Sequence, residues 1–169
     1  MRVLGYLTRM LLNSIKGLPR ALGKALRQLT GIFLFILLAA MELGDWTGLM
    51  SRYSNPEKDA AALGITTQAS LSHIMAMVVL SISIVLAAGI TVLGLFQDSK
   101  WAIRSSQATG ILYVLYGAYQ LYAGIAVAHK GQEGLILAGV VYTVIGLAVF
   151  GLGNKFVQLP KPRQQQPSR

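Results

Sequence analysis

The sequence predicts an all-α integral membrane protein, with four transmembrane helices in a small bundle behind an amphipathic, basic helix at the membrane surface. Of the 169 residues, 54% are hydrophobic and 12% are charged, whereas soluble domains average about 25% charged residues. Four long apolar stretches follow one another along the chain. Ahead of them, the first 29 residues carry six cations and no anion. These three observations favour a membrane protein over a soluble one.

Residues 1–28 are predicted to form the surface helix. At 100° per residue the six cations fall within an arc of about 80°, and apolar side chains cluster on the opposite side. A basic face with an apolar back suits anionic lipid better than nucleic acid. Because proline interrupts a helix, we expect a kink at Pro19, with one short helix ending near Gly17 and another starting at Pro19. The cations expected to contact lipid are Arg2, Arg9, Lys16, Arg20, Lys24 and Arg27.

Hydropathy predicts a transmembrane domain over residues 29–153, since about 20 apolar residues are needed to cross ~30 Å of hydrocarbon. The polar, basic tail, residues 154–169, is predicted to be disordered. The four predicted spans cover about residues 29–50, 69–96, 105–128 and 135–152.

The cations outside the spans predict which connections share a side of the membrane. Six precede the first span, two lie in the turn at residues 97–104 and four in the tail, against two in the loop at 51–68 and one in the turn at 129–134. Cytoplasmic segments carry the excess of Lys and Arg. Both termini and the 97–104 turn are therefore expected on the cytoplasm-equivalent side. A bacterial inner or thylakoid-type membrane is favoured, with a mitochondrial inner membrane as the alternative.

Two acids near the end of the first span are candidates for binding a proton or a cation. The uniformly apolar run at residues 32–41 is too short to cross a bilayer, so the span either takes in Glu42 and Asp45 or starts earlier. Carboxylates inside a membrane are costly and are functional candidates by default. The simpler interpretation, which the sequence favours, is that the helix ends near here. Both acids would then lie in the headgroup zone, with Trp46 in the aromatic belt and Arg52 nearby.

The two histidines are candidate cofactor ligands. His73 and His129 are predicted near the same end of the second and third spans. Two imidazoles on separate helices can hold a haem or a chlorophyll, and with a carboxylate they can hold a transition metal. Polar residues belong at membrane interfaces in any case, so the default expectation is no cofactor and no metal.

The third span carries two periodic patterns. Its tyrosines, spaced by three, form either a polar aromatic wall facing a cavity or ordinary packing with hydroxyls bonded to backbone carbonyls, and we favour packing. Its glycines recur every seven residues and form a row suited to close helix approach, which the fourth span repeats. The tyrosines are Tyr113, Tyr116, Tyr119 and Tyr122, and the packing glycines are Gly110, Gly117, Gly124, Gly139 and Gly146.

No motif in the sequence indicates an enzyme. The chain lacks cysteine, and it has no phosphate-binding glycine loop, zinc-protease helix or nucleophile elbow. The leading hypothesis is a non-catalytic accessory, assembly or structural subunit of a larger membrane complex, with lipid and other membrane subunits or further copies as partners, and no nucleic acid. The alternative is a small proton- or cation-coupled transporter or channel using Glu42 and Asp45. A second alternative is a haem- or chlorophyll-binding protein using His73 and His129.

Overall fold

The computed structural model confirms an all-α bundle over the part of the chain that it describes, namely the backbone of residues 2–97 and 99–156 and the side chains of residues 22–97 and 99–151. Every helix except the second contains a stretch long and apolar enough to cross a membrane. A π-helical turn at Ala123–Val127 continues the fourth helix. The helices are α1 (Arg2–Ser54), α2 (Pro56–Leu63), α3 (Thr67–Phe96), α4 (Trp101–Tyr122) and α5 (Gln132–Phe156).

The basic leader and the first span form one helix, α1, of 53 residues. The expected separation into two short helices at Gly17 and Pro19 is therefore wrong. An internal proline removes one backbone hydrogen bond and bends a helix, but it does not have to end it. A helix lying on the membrane and a helix crossing it differ in direction, so the surface position of residues 1–28 requires such a bend and stays a prediction.

Hydrogen bonds join neighbouring segments at each end of the bundle, and the grouping of both termini with the 97–104 turn stays a prediction. At one end, the Leu63 carbonyl at the end of α2 accepts hydrogen bonds from the backbone N–H groups of His129 and Lys130, at 2.8 and 3.1 Å. Gly64 lets α2 end there, because its φ of 68° lies in the left-handed region. At the other end, the Gln28 side chain donates to the Leu95 carbonyl at 3.3 Å. Which end faces the cytoplasm stays a prediction.

The chain's end differs in one respect from the expectation. Helix α5 continues to Phe156, past the predicted limit of the fourth span at residue 152. The predicted disordered tail falls mostly on residues 157–169, which lie outside the described residues.

The long helices pack in the order α1, α3, α4, α5, and α5 returns to touch α1 only sparsely. The closest pair is α4 with α5, where backbones meet at glycine. A Cβ added to Gly117 would lie 2.6 Å from the Gly139 carbonyl oxygen, and one added to Gly146 would lie 2.7 Å from the Gly110 carbonyl oxygen. The glycine rows of the third and fourth spans therefore face each other within one chain.

Replacing Gly117 with alanine should separate α4 from α5. Its Cβ would meet backbone atoms of α5 that cannot rotate away, so we expect a loss of about 1–3 kcal/mol in unfolding free energy. Thermal unfolding in one detergent, followed by circular dichroism, measures the effect. The matched control is Gly89→Ala in α3, where an added Cβ has nothing within 4 Å. Equal melting temperatures for the two variants would contradict the packing described.

Candidate functional site

Glu42 lies in the interior of the bundle. Its side chain is 0% exposed, because α1 turns this residue toward α3 and α4. The Oε2 atom accepts a hydrogen bond of 2.7 Å from the Ser81 hydroxyl. The Oε1 atom has no hydrogen-bond partner among the described residues. The carboxylate is thus only half satisfied, which is rare for a buried polar group.

Polar groups from three helices surround this carboxylate. The Trp46 indole donates to the Ser81 hydroxyl oxygen at 2.8 Å, so that hydroxyl accepts from α1 and donates back to it. The Tyr113 hydroxyl lies near Glu42 and donates to the Leu38 carbonyl at 3.1 Å. The expected hydrogen bond from a tyrosine hydroxyl to a backbone carbonyl is therefore present at Tyr113, and it lies beside the ionisable Glu42.

The position of its partners places Glu42 near the middle of the bundle. Ser81 lies midway along α3, and Tyr113 lies midway along the apolar span Trp101–Val127. The interpretation that the first helix ends near Glu42 is wrong, because α1 continues to Ser54. Three further turns of helix separate the carboxylate from that end of the bundle. Trp46 points inward to Ser81 instead of standing apart in an aromatic belt.

Asp45, one turn further along α1, faces the junction with α5. It is exposed and accepts a hydrogen bond from the Tyr142 hydroxyl. The Tyr142 ring in turn stacks on Tyr113, with centroids 6.0 Å apart, and meets the Tyr116 ring edge-on at 4.6 Å. The two carboxylates are close enough to interact electrostatically, with an aromatic cluster between α4 and α5 beside them.

A second set of buried polar groups lies nearer to α2. His73 is 5% exposed, and its ring stacks on Tyr119 with centroids 5.4 Å apart. Gln120, which follows Tyr119 on α4, is also buried. Within the part of the chain that the structure describes, neither His73 Nε2 nor Gln120 Oε1 has a hydrogen-bond partner. Beyond them the Ser70 hydroxyl donates to Asp59 at 2.8 Å.

The two histidines differ in their surroundings. The His73 ring is buried against Tyr119, whereas His129 is exposed after the π turn. Among the described residues, no group of three or more histidine and acidic side chains is arranged to hold a metal ion. The tyrosines of α4 also divide: Tyr113 and Tyr116 are buried, while Tyr122 is 60% exposed.

Sequence reasoning missed three members of this site. They are Ser81, Gln120 and Tyr142. Ser81 and Tyr142 gain their roles through contacts with Glu42 and Asp45, which lie 39 and 97 positions away in sequence. Periodicity within one helix carries no signal for such a pairing.

Replacing Ser81 with alanine should destabilise the bundle. The change removes the donor to Glu42 and the acceptor for Trp46, and a buried polar group left without its partner costs about 1–3 kcal/mol. Thermal unfolding in detergent measures the loss. Ser83→Ala is the control, because that hydroxyl bonds to the Val79 carbonyl of its own helix. Equal melting temperatures for the two variants would show that the hydrogen bonds among Glu42, Ser81 and Trp46 do not stabilise the bundle.

Comparison with known proteins leaves the geometry as the guide to function. No protein-family model, curated protein or solved structure matches the chain. The half-satisfied buried carboxylate of Glu42 is therefore the feature that points most directly to a function.

Proposed function

We propose that this chain is an integral membrane protein that binds a proton or a monovalent cation at Glu42 and moves it across the bilayer, as a small transporter or channel. The observation that supports this most directly is the Oε1 atom of Glu42, which is buried in the middle of the bundle without a partner among the described residues.

A charged carboxylate at this place lacks a compensating charge. The polar groups that act on it are Ser81, Tyr113 and Asp45, and none of them is a cation. Burying an unpaired charge costs several kcal/mol in real proteins. Binding a proton or a cation removes that cost, and the hydroxyl oxygens of Ser81 and Tyr113 are suitable neighbours for either. Intramembrane carboxylates commonly mark ion and proton pathways.

The junction between α1 and α5 supplies a place where the bundle can open. These helices touch sparsely, and the Tyr142 hydroxyl bonds to Asp45 across the gap. The α4–α5 pair, by contrast, is locked by backbone contacts at glycine. Moving α1 relative to α5 therefore disturbs fewer contacts than any movement between α4 and α5. Such a movement would alter the surroundings of both carboxylates.

Glu42→Gln should abolish transport. Glutamine keeps the size of the side chain and can still bond to Ser81, but it cannot release a proton or bind a cation as a carboxylate does. Purified protein in liposomes is tested with an internal pH-sensitive dye for protons, and with sodium or potassium gradients for metal cations. The control is Glu133→Gln, the same change at an exposed acid.

Each result of this experiment decides the proposal. Flux in the parent and in Glu133→Gln, lost in Glu42→Gln, supports it, and the gradient that drives the flux identifies the ion. Undiminished flux in Glu42→Gln, or no flux of any of these ions in the parent, overturns it.

A second candidate function, a subunit of a larger membrane assembly, is favoured by the outer face of α1. Asp45 is exposed at the middle level of the bundle, and a carboxylate facing lipid there is expensive. Beside it, Gly44 and Gly48 have nothing within 4 Å of an added Cβ, and glycines four apart admit a neighbouring helix closely. We therefore infer that another membrane helix covers this face. The glycines of α4 and α5 do not support this candidate, since they contact each other.

Gly48→Leu should break such an assembly, because leucine would keep a neighbouring helix away from α1. Native electrophoresis of membranes extracted in mild detergent measures the size of the complex. The control is Gly89→Leu, which places the same side chain at another open glycine, on α3. A parent chain that migrates as a monomer with no companion protein would contradict the subunit role.

A further inference from the structure

Among the described residues, buried side-chain atoms without a hydrogen-bond partner lie at Glu42 and on its α2 side. In the half nearer to the α3–α4 turn, Thr91 bonds to the Ala87 carbonyl and to Ser105, and the hydroxyls of Ser105, Ser106 and Thr109 bond to carbonyls of their own helix, all at 2.8–2.9 Å. From the middle of the bundle toward α2, three side-chain atoms lack partners among the described residues. They are Glu42 Oε1, His73 Nε2 and Gln120 Oε1.

We propose that water enters the bundle from the α2 end, passes His73 and Gln120, and reaches Glu42, while the opposite half stays dry. This inference rests on the proposed function, because the path would deliver the proton or monovalent cation to its site. It also makes the bundle asymmetric, because water would reach the carboxylate from the α2 end alone.

The unpartnered atoms support water at these positions. A buried polar atom without a partner costs about 1–3 kcal/mol, and internal water usually supplies the missing hydrogen bond. Three such atoms lie at Glu42 or on its α2 side, whereas the buried hydroxyls described nearer to the α3–α4 turn are bonded, and this difference sets the two sides of Glu42 apart.

The same groups follow one another toward Glu42. The His73 ring on α3 stacks on Tyr119, which precedes Gln120 on α4. Tyr116 lies one turn from Gln120 on the same face of α4, and Tyr113, one turn beyond, lies near Glu42. Successive turns of one face of α4 therefore carry polar groups from the level of His73 to the carboxylate.

The entrance to this path is polar and is covered by α2. Asp59 of α2 accepts from Ser70 at 2.8 Å and lies 3.7 Å from Arg52 of α1. These two opposite charges are the ones that face His73 from the neighbouring helices. On the far side of Glu42, the core is built from large apolar side chains, with Phe35 and Ile84 fully buried. Among the described residues, the buried side-chain atoms that water could partner therefore lie at Glu42 and on its α2 side, whereas the buried hydroxyls beyond it are already bonded.

The chain contains no cysteine, so single cysteines can be labelled without background. Ser81→Cys lies on the path beside Glu42, and Ser106→Cys is the same one-atom change at an equally buried serine in the dry half. A second pair of cysteine variants leaves Ser81 and its hydrogen bonds intact. Met77→Cys lies between His73 and Ser81, and Ala88→Cys lies on the same face of α3 beyond Ser81, with both parent side chains buried.

A charged, membrane-impermeant methanethiosulfonate reagent is applied to each variant in sealed vesicles. Glu57→Cys in α2 and Lys100→Cys in the α3–α4 turn, both exposed, report which side the reagent reaches. We expect Ser81→Cys and Met77→Cys to be labelled only from the side that labels Glu57→Cys, and Ser106→Cys and Ala88→Cys to stay unlabelled.

Labelling of the dry-half cysteines from either side, or no labelling of either path cysteine, overturns the inference. Labelling requires no ion flux, so the two proposals fail separately. If the cysteines are labelled as expected but the protein moves no ion, the water path is supported and the transport function is contradicted. If ion flux depends on Glu42 but no path cysteine is labelled, the transport function is supported and the water path is contradicted.

Discussion

The polar interior of this bundle depends on one hydrogen bond, between the Ser81 hydroxyl and the Glu42 carboxylate. A carboxylate in an apolar interior is stable in few positions, because each oxygen needs a hydrogen-bond donor. Leaving the buried group without donors costs several kcal/mol. Ser81 provides one donor and also holds the Trp46 indole. Together they set how far α1 can slide along α3, since a shift of one turn would leave all three groups unpartnered. Apolar contacts alone would tolerate such a shift far better.

The other helix contacts have a different physical basis. Helices α4 and α5 meet through glycine backbones at Gly110, Gly117, Gly139 and Gly146, where close approach increases dispersion contacts and needs no polar group. The α1–α5 junction has neither kind of support beyond the Asp45–Tyr142 bond and sparse packing. Close backbone contacts therefore hold α4 against α5, whereas few contacts hold α1 against α5. That unequal arrangement suits a protein whose buried carboxylate must change its surroundings in order to work.

The two proposed functions use different faces of the same helix. Glu42 points into the bundle, and Asp45, three residues later, points outward beside Gly44 and Gly48. A neighbouring helix packed on the outer face would shield Asp45 from lipid and would also border the α1–α5 junction. Ion binding and assembly are thus compatible, and a partner on α1 would influence the site through the helix that carries both carboxylates.

Hydropathy and spacing along the chain were enough to predict the all-α class, the four long apolar helices and the glycines available for close packing. Those properties depend on local residues. The place of Glu42 midway along the bundle, its Oε1 atom without a partner among the described residues and the contact of the α4 glycines with those of α5 follow only from the packed helices. Partners 39 and 75 positions apart in sequence meet only when the helices pack. Burial and hydrogen bonding are properties of those contacts, so no pattern within a single helix contains them.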